Sequence, residues 1–467
     1  VDIHITIDGG RGLREEIYRQ LRAAILDGRL RAGEALPPTR ELARRLAVSR
    51  NTVSGAYDRL AGEGFLAARA GAGTFVRAGA GRAEPPVRET SALRPAQAWA
   101  GVPEPPTRFA AAPEYDFRAG APDVGLFPFD TWRRLIAEQL RGSRPQVLTY
   151  GDPRGHQGLR EAIARHVGLS RDVRADPDDV LVTNGSQQAV DLAARVLLRP
   201  GDRVAVENPG YPPPRQLFST LGARLACVPV DEEGLVVDEL PDDCRLVYVT
   251  PSHQFPLGTP MSLARRMALI EWAQRHDAAI LEDDYDTEFR YTGRPLEPLH
   301  SLDTAGRVLY IGSFSKVLLP ALRLGFLVSP PGLREAVTKA KYLTDWHSAS
   351  VEQAAVAQFM DEGGFARHVR RMRREYQARQ QLVSSIVARD FADVLTLIPA
   401  AAGLHVSAYS SVPTRPVARA ARNAGMWLYT LGDFTEPRDA VQGLVFGFGA
   451  VPRAAIEPGL HRLRDFL

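Results

Sequence analysis

Lysine occurs at three positions in this 467-residue chain, Lys316, Lys339 and Lys341, and arginine carries nearly all of the remaining positive charge. An amine can condense with a carbonyl to form an imine, which a guanidinium cannot, so a retained lysine suggests a place where an amine is required. Lys316 closes the run Ile311-Gly312-Ser313-Phe314-Ser315-Lys316, with hydroxyls one and three residues before it and Arg323 seven after. Those are the parts of a Schiff-base site for a phosphate-bearing cofactor: the lysine forms the imine, while Ser313, Ser315 and Arg323 can hold a phosphate.

Two other stretches could complete such a site. Asn184-Gly185-Ser186-Gln187-Gln188 follows an apolar run at Val180 and opens a helical pattern. A glycine and a small hydroxyl residue at a helix start offer free N–H groups and a favourable dipole to a phosphate, although such junctions also arise from packing alone. Glu282-Asp283-Asp284-Tyr285-Asp286 reads either as a metal-binding cluster or as one buried carboxylate for a protonated heterocyclic nitrogen. Alternation along a strand sends neighbouring carboxylates to opposite faces, which favours the second reading with Asp283 as the partner; no metal is expected.

The elements that must position these residues are strands alternating with helices. Short β-branched runs at Val180–Thr183, Arg203–Glu207, Leu246–Thr250, Ala279–Asp283, Arg307–Ile311 and Leu324–Val328 predict an α/β domain with a mostly parallel sheet. Sites in such sheets lie at the carboxyl ends of the strands, where these residues fall.

The N-terminal part has a different pattern. Apolar residues at helical spacing from Leu13 to Ile25 predict one helix ending before Gly28, and Thr39 is expected to cap a second with Leu42, Ala43 and Leu46 inside. After a turn at Ala47-Val48, Ser49 is the expected cap of a third helix reaching about Ala61. Val53, Ala56, Tyr57 and Leu60 line its inner face, leaving Arg50, Asn51 and Ser54 outside near its start. Two short helices with a tight turn and polar residues at the exposed start of the second suit a DNA major groove, with Asn51, Thr52 and Ser54 able to reach bases or backbone. The run from Phe65 to Val76 reads as two strands around a glycine turn, a wing placing Arg69 and Gly73 near the DNA backbone. A small helical domain with solvated arginines would show the same periodicity.

Residues 1–77 carry 13 arginines against 9 acidic residues, while the rest of the chain is nearly balanced within an overall charge of +3, a weak sign of a polyanion partner at the N-terminus. From Arg82 to Pro113 seven prolines interrupt Ala, Gly, Arg and Glu with no apolar period, so residues 78–113 are expected to be a linker between a module at 1–77 and a body at 114–467. No apolar run reaches membrane-spanning length, no export signal opens the sequence, and Cys227 and Cys244 form no CxxC pair. A cytoplasmic protein with reduced thiols is expected.

Longer motifs sharpen this reading. Leu36-Pro37-Pro38-Thr39-Arg40-Glu41-Leu42-Ala43, Val48-Ser49-Arg50-Asn51-Thr52-Val53, Leu60-Ala61-Gly62-Glu63-Gly64-Phe65 and Gly73-Thr74-Phe75-Val76 closely resemble the GntR-type winged helix-turn-helix. That resemblance implies that Arg40, Arg50, Thr52 and the wing around Gly73 contact double-stranded operator DNA, joining Ser49, Asn51, Ser54 and Arg69 as candidates. Tyr150-Gly151-Asp152-Pro153-Arg154-Gly155, Asn208-Pro209-Gly210-Tyr211-Pro212, Thr250-Pro251-Ser252-His253-Gln254-Phe255-Pro256-Leu257-Gly258, Asp283-Asp284-Tyr285-Asp286-Thr287-Glu288-Phe289 and Ser313-Phe314-Ser315-Lys316 resemble fold-type I aminotransferases. Together the two halves resemble the MocR/GabR-type regulators of the GntR superfamily.

The resemblance implies pyridoxal 5'-phosphate as cofactor, with Lys316 as its imine lysine and Asp283 as partner of its ring nitrogen. Tyr285 would reach its phenolic oxygen and Tyr211 would stack on its ring. Gly185, Ser186, Gln187, Ser313, Ser315 and Arg323 would bind the phosphate. Tyr150 would reach the neighbouring subunit's phosphate, which implies a head-to-tail, domain-swapped homodimer. One departure stands out: the pattern Gly-Leu-Arg-Leu-Gly-Phe, whose arginine clamps a substrate carboxylate, here reads Gly443-Leu444-Val445-Phe446-Gly447-Phe448. Arg215 is a candidate substitute. Without that clamp a sensor is favoured over an enzyme, its effector being pyridoxal phosphate itself, as in regulators of its synthesis, or a non-carboxylate amine. A working aminotransferase with an appended DNA-binding domain, and a regulator whose body has lost its cofactor, are the alternatives.

Overall fold

The computed structural model describes residues 5, 12–69, 73–77, 94–104, 113–141, 149–293, 296–438 and 440–467, which divide into two compact units at Pro95/Ala96.

In the first unit, helices Leu13–Leu26, Thr39–Arg45 and Arg50–Gly62 are followed by an antiparallel pair, Leu66–Arg69 with Gly73–Val76. Their core is the expected stripe: Ile17, Leu21, Ile25, Leu42, Val53, Ala56 and Leu60 are buried together with Leu66 and Val76. Ser49 caps the third helix, its Oγ accepting the Thr52 amide at 3.1 Å. Thr39, expected as a cap, is instead the first helical residue. Pro38 takes the boundary position, because its ring already holds φ at -53° and the helix needs no side-chain cap to start there. The glycine turn of the wing, residues 70–72, lies outside the described residues.

The second unit is built on a sheet of eight strands among the described residues. Its order is Val180–Thr183, Gly325–Val328, Val308–Ser313, Ala279–Asp284, Cys244–Val249, Arg203–Asn208, Arg224–Asp231 and Gly234–Leu235. The four central pairings are parallel, and those involving Gly325–Val328 and Gly234–Leu235 are antiparallel. The central strands are apolar on both faces, as helix-covered parallel strands must be. A smaller antiparallel sheet, Leu395–Leu397, His405–Ser410, Gly443–Gly447 and Tyr429–Thr430, packs with the 27-residue helix Gly364–Asp390.

The expected linker ends earlier than its composition suggests. Residues 78–93 and 105–112 lie outside the described residues, but Gln97–Trp99 forms a short 3-10 turn in the second unit, beside the helix Pro212–Thr220. Proline denies a segment its own regular element, yet leaves it free to pack on another. Among the described residues no helix is long and apolar enough to cross a membrane. Cys227 and Cys244 are free thiols.

Candidate functional site

A cavity of 620 Å³ opens at the carboxyl edge of the large sheet. Ser186 and Gln187 reach it from the helix after the first strand, Tyr211 from the loop after Asn208, and Asp283 and Tyr285 from the end of Ala279–Asp284. Ser313, Ser315 and Lys316 follow Ser313's strand, and Arg323 precedes the next. Parallel strands put all these loops on one edge, which is why residues spread over 140 positions of sequence converge.

The three lysines have different surroundings. Lys339 is exposed and pairs with Glu335 at 2.5 Å. Lys341 is buried and saturated by Gln188, Asp345 and Ser348 at 2.7, 2.8 and 3.0 Å. Lys316 faces the cavity and donates to the Gly120 carbonyl at 2.7 Å. Gly120 has φ +76°, and a Cβ there would lie 3.0 Å from the amine, so a side chain would crowd the lysine. Burial lowers the Lys316 ammonium pKa, against the opposing pull of Asp286 and Asp283, and Arg323 adds to the lowering. A larger fraction of the amine is therefore neutral and nucleophilic.

The residues fit pyridoxal phosphate. Asp283 Oδ2 accepts the Tyr248 hydroxyl at 2.6 Å, whereas Oδ1 is buried without a partner among the described residues. An orphaned carboxylate oxygen is costly, and a protonated ring nitrogen would satisfy it. Burial pushes the Asp283 carboxyl up to about 6, with the Tyr248 hydroxyl opposing. At the other end, Arg323 Nη2 donates to the Asn184 carbonyl at 3.0 Å, and a Cβ on Gly185 would lie 2.7 Å from that nitrogen. The helix starting at Ser186 thus places its N-terminus beside a guanidinium and the hydroxyls of Ser313 and Ser315, a cradle for a phosphate.

The acidic run does not converge as a metal cluster. Glu282 accepts the Leu299 and His300 amides at 3.0 and 2.9 Å, and Asp284 accepts Arg171, Tyr310 and Thr287 at 2.8, 2.6 and 2.6 Å. Asp286 instead faces His253, near His405; one potential ligand atom from each of these three lies within 4.8 Å of the others.

Some expectations need correction. Arg215 does not line the cavity; its side chain bonds to Cys227, and Gln216 faces the cavity instead. Tyr150 is absent from this chain's own cavity, being 79% exposed and stacked on Trp346 at 4.7 Å. Val445 is fully buried beside Phe255, Leu257, Ile398, Leu431 and Phe434, so the place of the carboxylate clamp is filled by hydrocarbon. The sequence reading missed Gly120, Tyr248, Arg422, Arg438 and Pro103, all of which except Gly120's role as acceptor are evident only from the cavity lining. For Gly120 and Tyr248 the missing signal is long-range: neither is near its partner in sequence.

On the N-terminal unit Arg40, Ser49, Arg50, Asn51, Arg69 and Gly73 are exposed, and Thr52 and Ser54 are partly so. Ser49 and Thr52 are already engaged with each other, their hydroxyls 2.7 Å apart. Arg69 lies over the Phe75 ring, 4.8 Å from its centre.

The chain matches the aminotransferase class I and II family over residues 115–413 and the gntR family of bacterial regulatory proteins over residues 13–76. It is similar to the probable rhizopine catabolism regulatory protein MocR of Rhizobium meliloti, with 38% identity over 469 residues, 97% of this chain and 93% of that one. It is also similar to the HTH-type pyridoxine biosynthesis transcriptional regulator PdxR of Corynebacterium glutamicum, with 32% identity over 435 residues, 93% of this chain and 91% of that one. Among solved structures, the kynurenine aminotransferase of Pyrococcus horikoshii superposes with a TM-score of 0.71 and 28% identity, covering 76% of this chain and 91% of that one. The chain belongs to the MocR-type GntR regulators, transcriptional regulators in which a helix-turn-helix module precedes an aminotransferase-fold domain.

Proposed function

We propose that this regulator senses pyridoxal phosphate, or an amine reacting with it, at Lys316 and converts occupancy into a change in operator binding. The observation that carries the sensor reading is Val445: the cavity has a desolvated lysine and an orphaned Asp283 oxygen, but hydrocarbon where a substrate carboxylate would be clamped. When bound, pyridoxal phosphate supplies a carbonyl that captures amines and a ring that withdraws electrons. The chain's own part is to bind and orient. Gly185, Ser186, Gln187, Ser313, Ser315 and Arg323 hold the phosphate, Asp283 the ring nitrogen, Tyr285 the ring oxygen, and Tyr211 the ring face. Tyr150 completes the partner's phosphate site in a head-to-tail, domain-swapped homodimer.

Arg40, Ser49, Arg50, Asn51, Thr52, Ser54, Arg69 and Gly73 form the DNA surface, and the genes controlled serve vitamin B6 or amino-compound metabolism in the cytoplasm. Residues 1–77 act as the DNA-binding module, 114–467 as the effector body, and 78–113 as the connection between them. Pro103 of that connection lines the cavity, giving occupancy a route to the linker. A switch of this kind needs a coupling of about 1–3 kcal/mol.

The test is operator binding by wild type and Lys316→Ala, each with and without pyridoxal phosphate. The cofactor should change wild-type affinity, and the variant should lose the response; identical responses would contradict the proposal. A second reading, an active aminotransferase with an appended DNA-binding domain, draws support from Arg422 and Arg438, which line the cavity and could meet a carboxylate from another side. It predicts multiple turnovers with an ordinary amino acid, where the sensor at most transfers one amino group per site.

A further inference from the structure

Behind Tyr285 the cavity wall holds buried groups that the proposed function leaves unused. His253 and Asp286 are each 1% exposed. His253 Nδ1 lies 3.0 and 3.2 Å from the two Asp286 oxygens and 3.0 Å from Tyr285 Oη. The Tyr285 hydroxyl donates to the His253 carbonyl at 3.0 Å, and His253 Nε2 is buried without a partner among the described residues. Opposite them, a Cβ on Gly403 would lie 1.9 Å from His253 Cε1 and 2.7 Å from Asp286 Oδ2, so the absence of a side chain there lets ring and carboxylate meet.

A carboxylate only accepts, so the hydrogen between His253 and Asp286 belongs on Nδ1, leaving Nε2 bare. That Nδ1–H also points at Tyr285 Oη and fills one of its lone pairs. The phenolic proton is then the group that Oη can turn toward the cavity.

We propose that His253, oriented by Asp286, is a positioning residue that keeps Tyr285 a hydrogen-bond donor toward the cavity and thereby sets the acid–base balance of the cofactor seated at Lys316. This rests on the cofactor reading above. The other charged or titratable groups around Tyr285 and Lys316 are Asp283, Asp284, Glu207, Arg323 and His405. Burial, with Asp286 and Asp283 adding to it, holds the Tyr285 hydroxyl well above its ordinary range, so it keeps the proton it would donate. A donor stabilises an anionic ring oxygen more than one that shares a proton with the lysine nitrogen. Loss of the donor therefore raises the pH at which the bound cofactor changes its absorbance.

The experiment is a pH titration of that absorbance in the full-length protein loaded with pyridoxal phosphate. His253→Leu should raise the transition by about one unit, tenfold in proton affinity. His253→Asn, whose amide N–H can replace Nδ1–H, should restore the wild-type transition. Tyr285→Phe should raise it at least as far as His253→Leu, and the double variant should go no further than Tyr285→Phe alone. An unmoved transition in His253→Leu, or a further rise in the double variant, would overturn the proposal. If leucine prevents folding, nitrogen NMR of the loaded wild-type protein with labelled histidine decides: protonated Nδ1 with bare Nε2 is expected, and the opposite tautomer contradicts it. Wild-type protein that shows no new absorbance band with pyridoxal phosphate would instead remove the cofactor reading, and this inference with it.

Discussion

Lys316 and Lys341 are both buried, but their surroundings differ in kind. Lys341 donates to three side chains, which compensate its desolvation within the fold. Lys316 has one carbonyl acceptor and faces a cavity whose opposite Asp283 oxygen is also without a partner. A saturated buried charge is part of the scaffold, whereas under-satisfied polar groups facing a shared space mark where something else must bind. The N-terminal unit repeats the contrast at its surface: the Ser49 hydroxyl is committed to a helix cap, while neighbouring Arg50 is exposed.

The largest effect should come from Lys316→Met. Covalent retention of pyridoxal phosphate is abolished, read as loss of the bound absorbance after desalting, while stability of the cofactor-free protein changes by less than about 1 kcal/mol or rises. Lys341→Met should do the reverse, costing about 3 kcal/mol in urea unfolding because Asp345 loses its buried cation, with cofactor capture preserved in the folded fraction. Equal stability costs for the two would erase the distinction.

Asp283 sharpens it through pH. Its carboxyl, ordinarily near 3.8, is raised to about 6 in the fold. The native state therefore holds this proton more tightly than the unfolded chain, and the resulting stability is lost as pH rises from about 4 through 6. Asp283→Asn should accordingly stabilise the cofactor-free protein by up to roughly 3 kcal/mol above pH 6 and by nothing below pH 4, while weakening cofactor binding. A stability difference that does not depend on pH would contradict the burial argument.

Smaller effects are expected in the DNA-binding module. Arg50→Ala should weaken operator binding about tenfold with thermal stability unchanged. Ser49→Ala should cost about 1 kcal/mol of stability through the lost cap. Fluorescence anisotropy and thermal unfolding on both variants separate the two roles.

Much of this was legible locally. The six β-branched runs became strands because their period and the turn residues around them agree, and the third N-terminal helix was readable from Ser49 at its start and Val53, Ala56, Tyr57 and Leu60 inside. Lys316, Asp283, Tyr285 and the Gly185–Gln187 turn could be named because strand ends in a parallel sheet share an edge. What escaped depends on contacts distant in sequence. Gly120 meets an amine 196 positions away, His253 meets Asp286 33 positions on, and Trp99 and its neighbours lie on a helix that begins at Pro212. Proline content alone made that last segment read as linker, and Arg215 read as a clamp because a position in sequence does not fix which way a helix faces.

The central claim is a coupling between cofactor and operator, and coupling is reciprocal. The decisive measurement is therefore the affinity of the full-length protein for pyridoxal phosphate, followed by its absorbance, with operator DNA and with DNA of unrelated sequence. A change of about five- to 150-fold on operator alone, matching the factor by which the cofactor alters operator affinity, is the predicted result. Identical cofactor affinity on both DNAs, with Lys316 occupied in each, would contradict it.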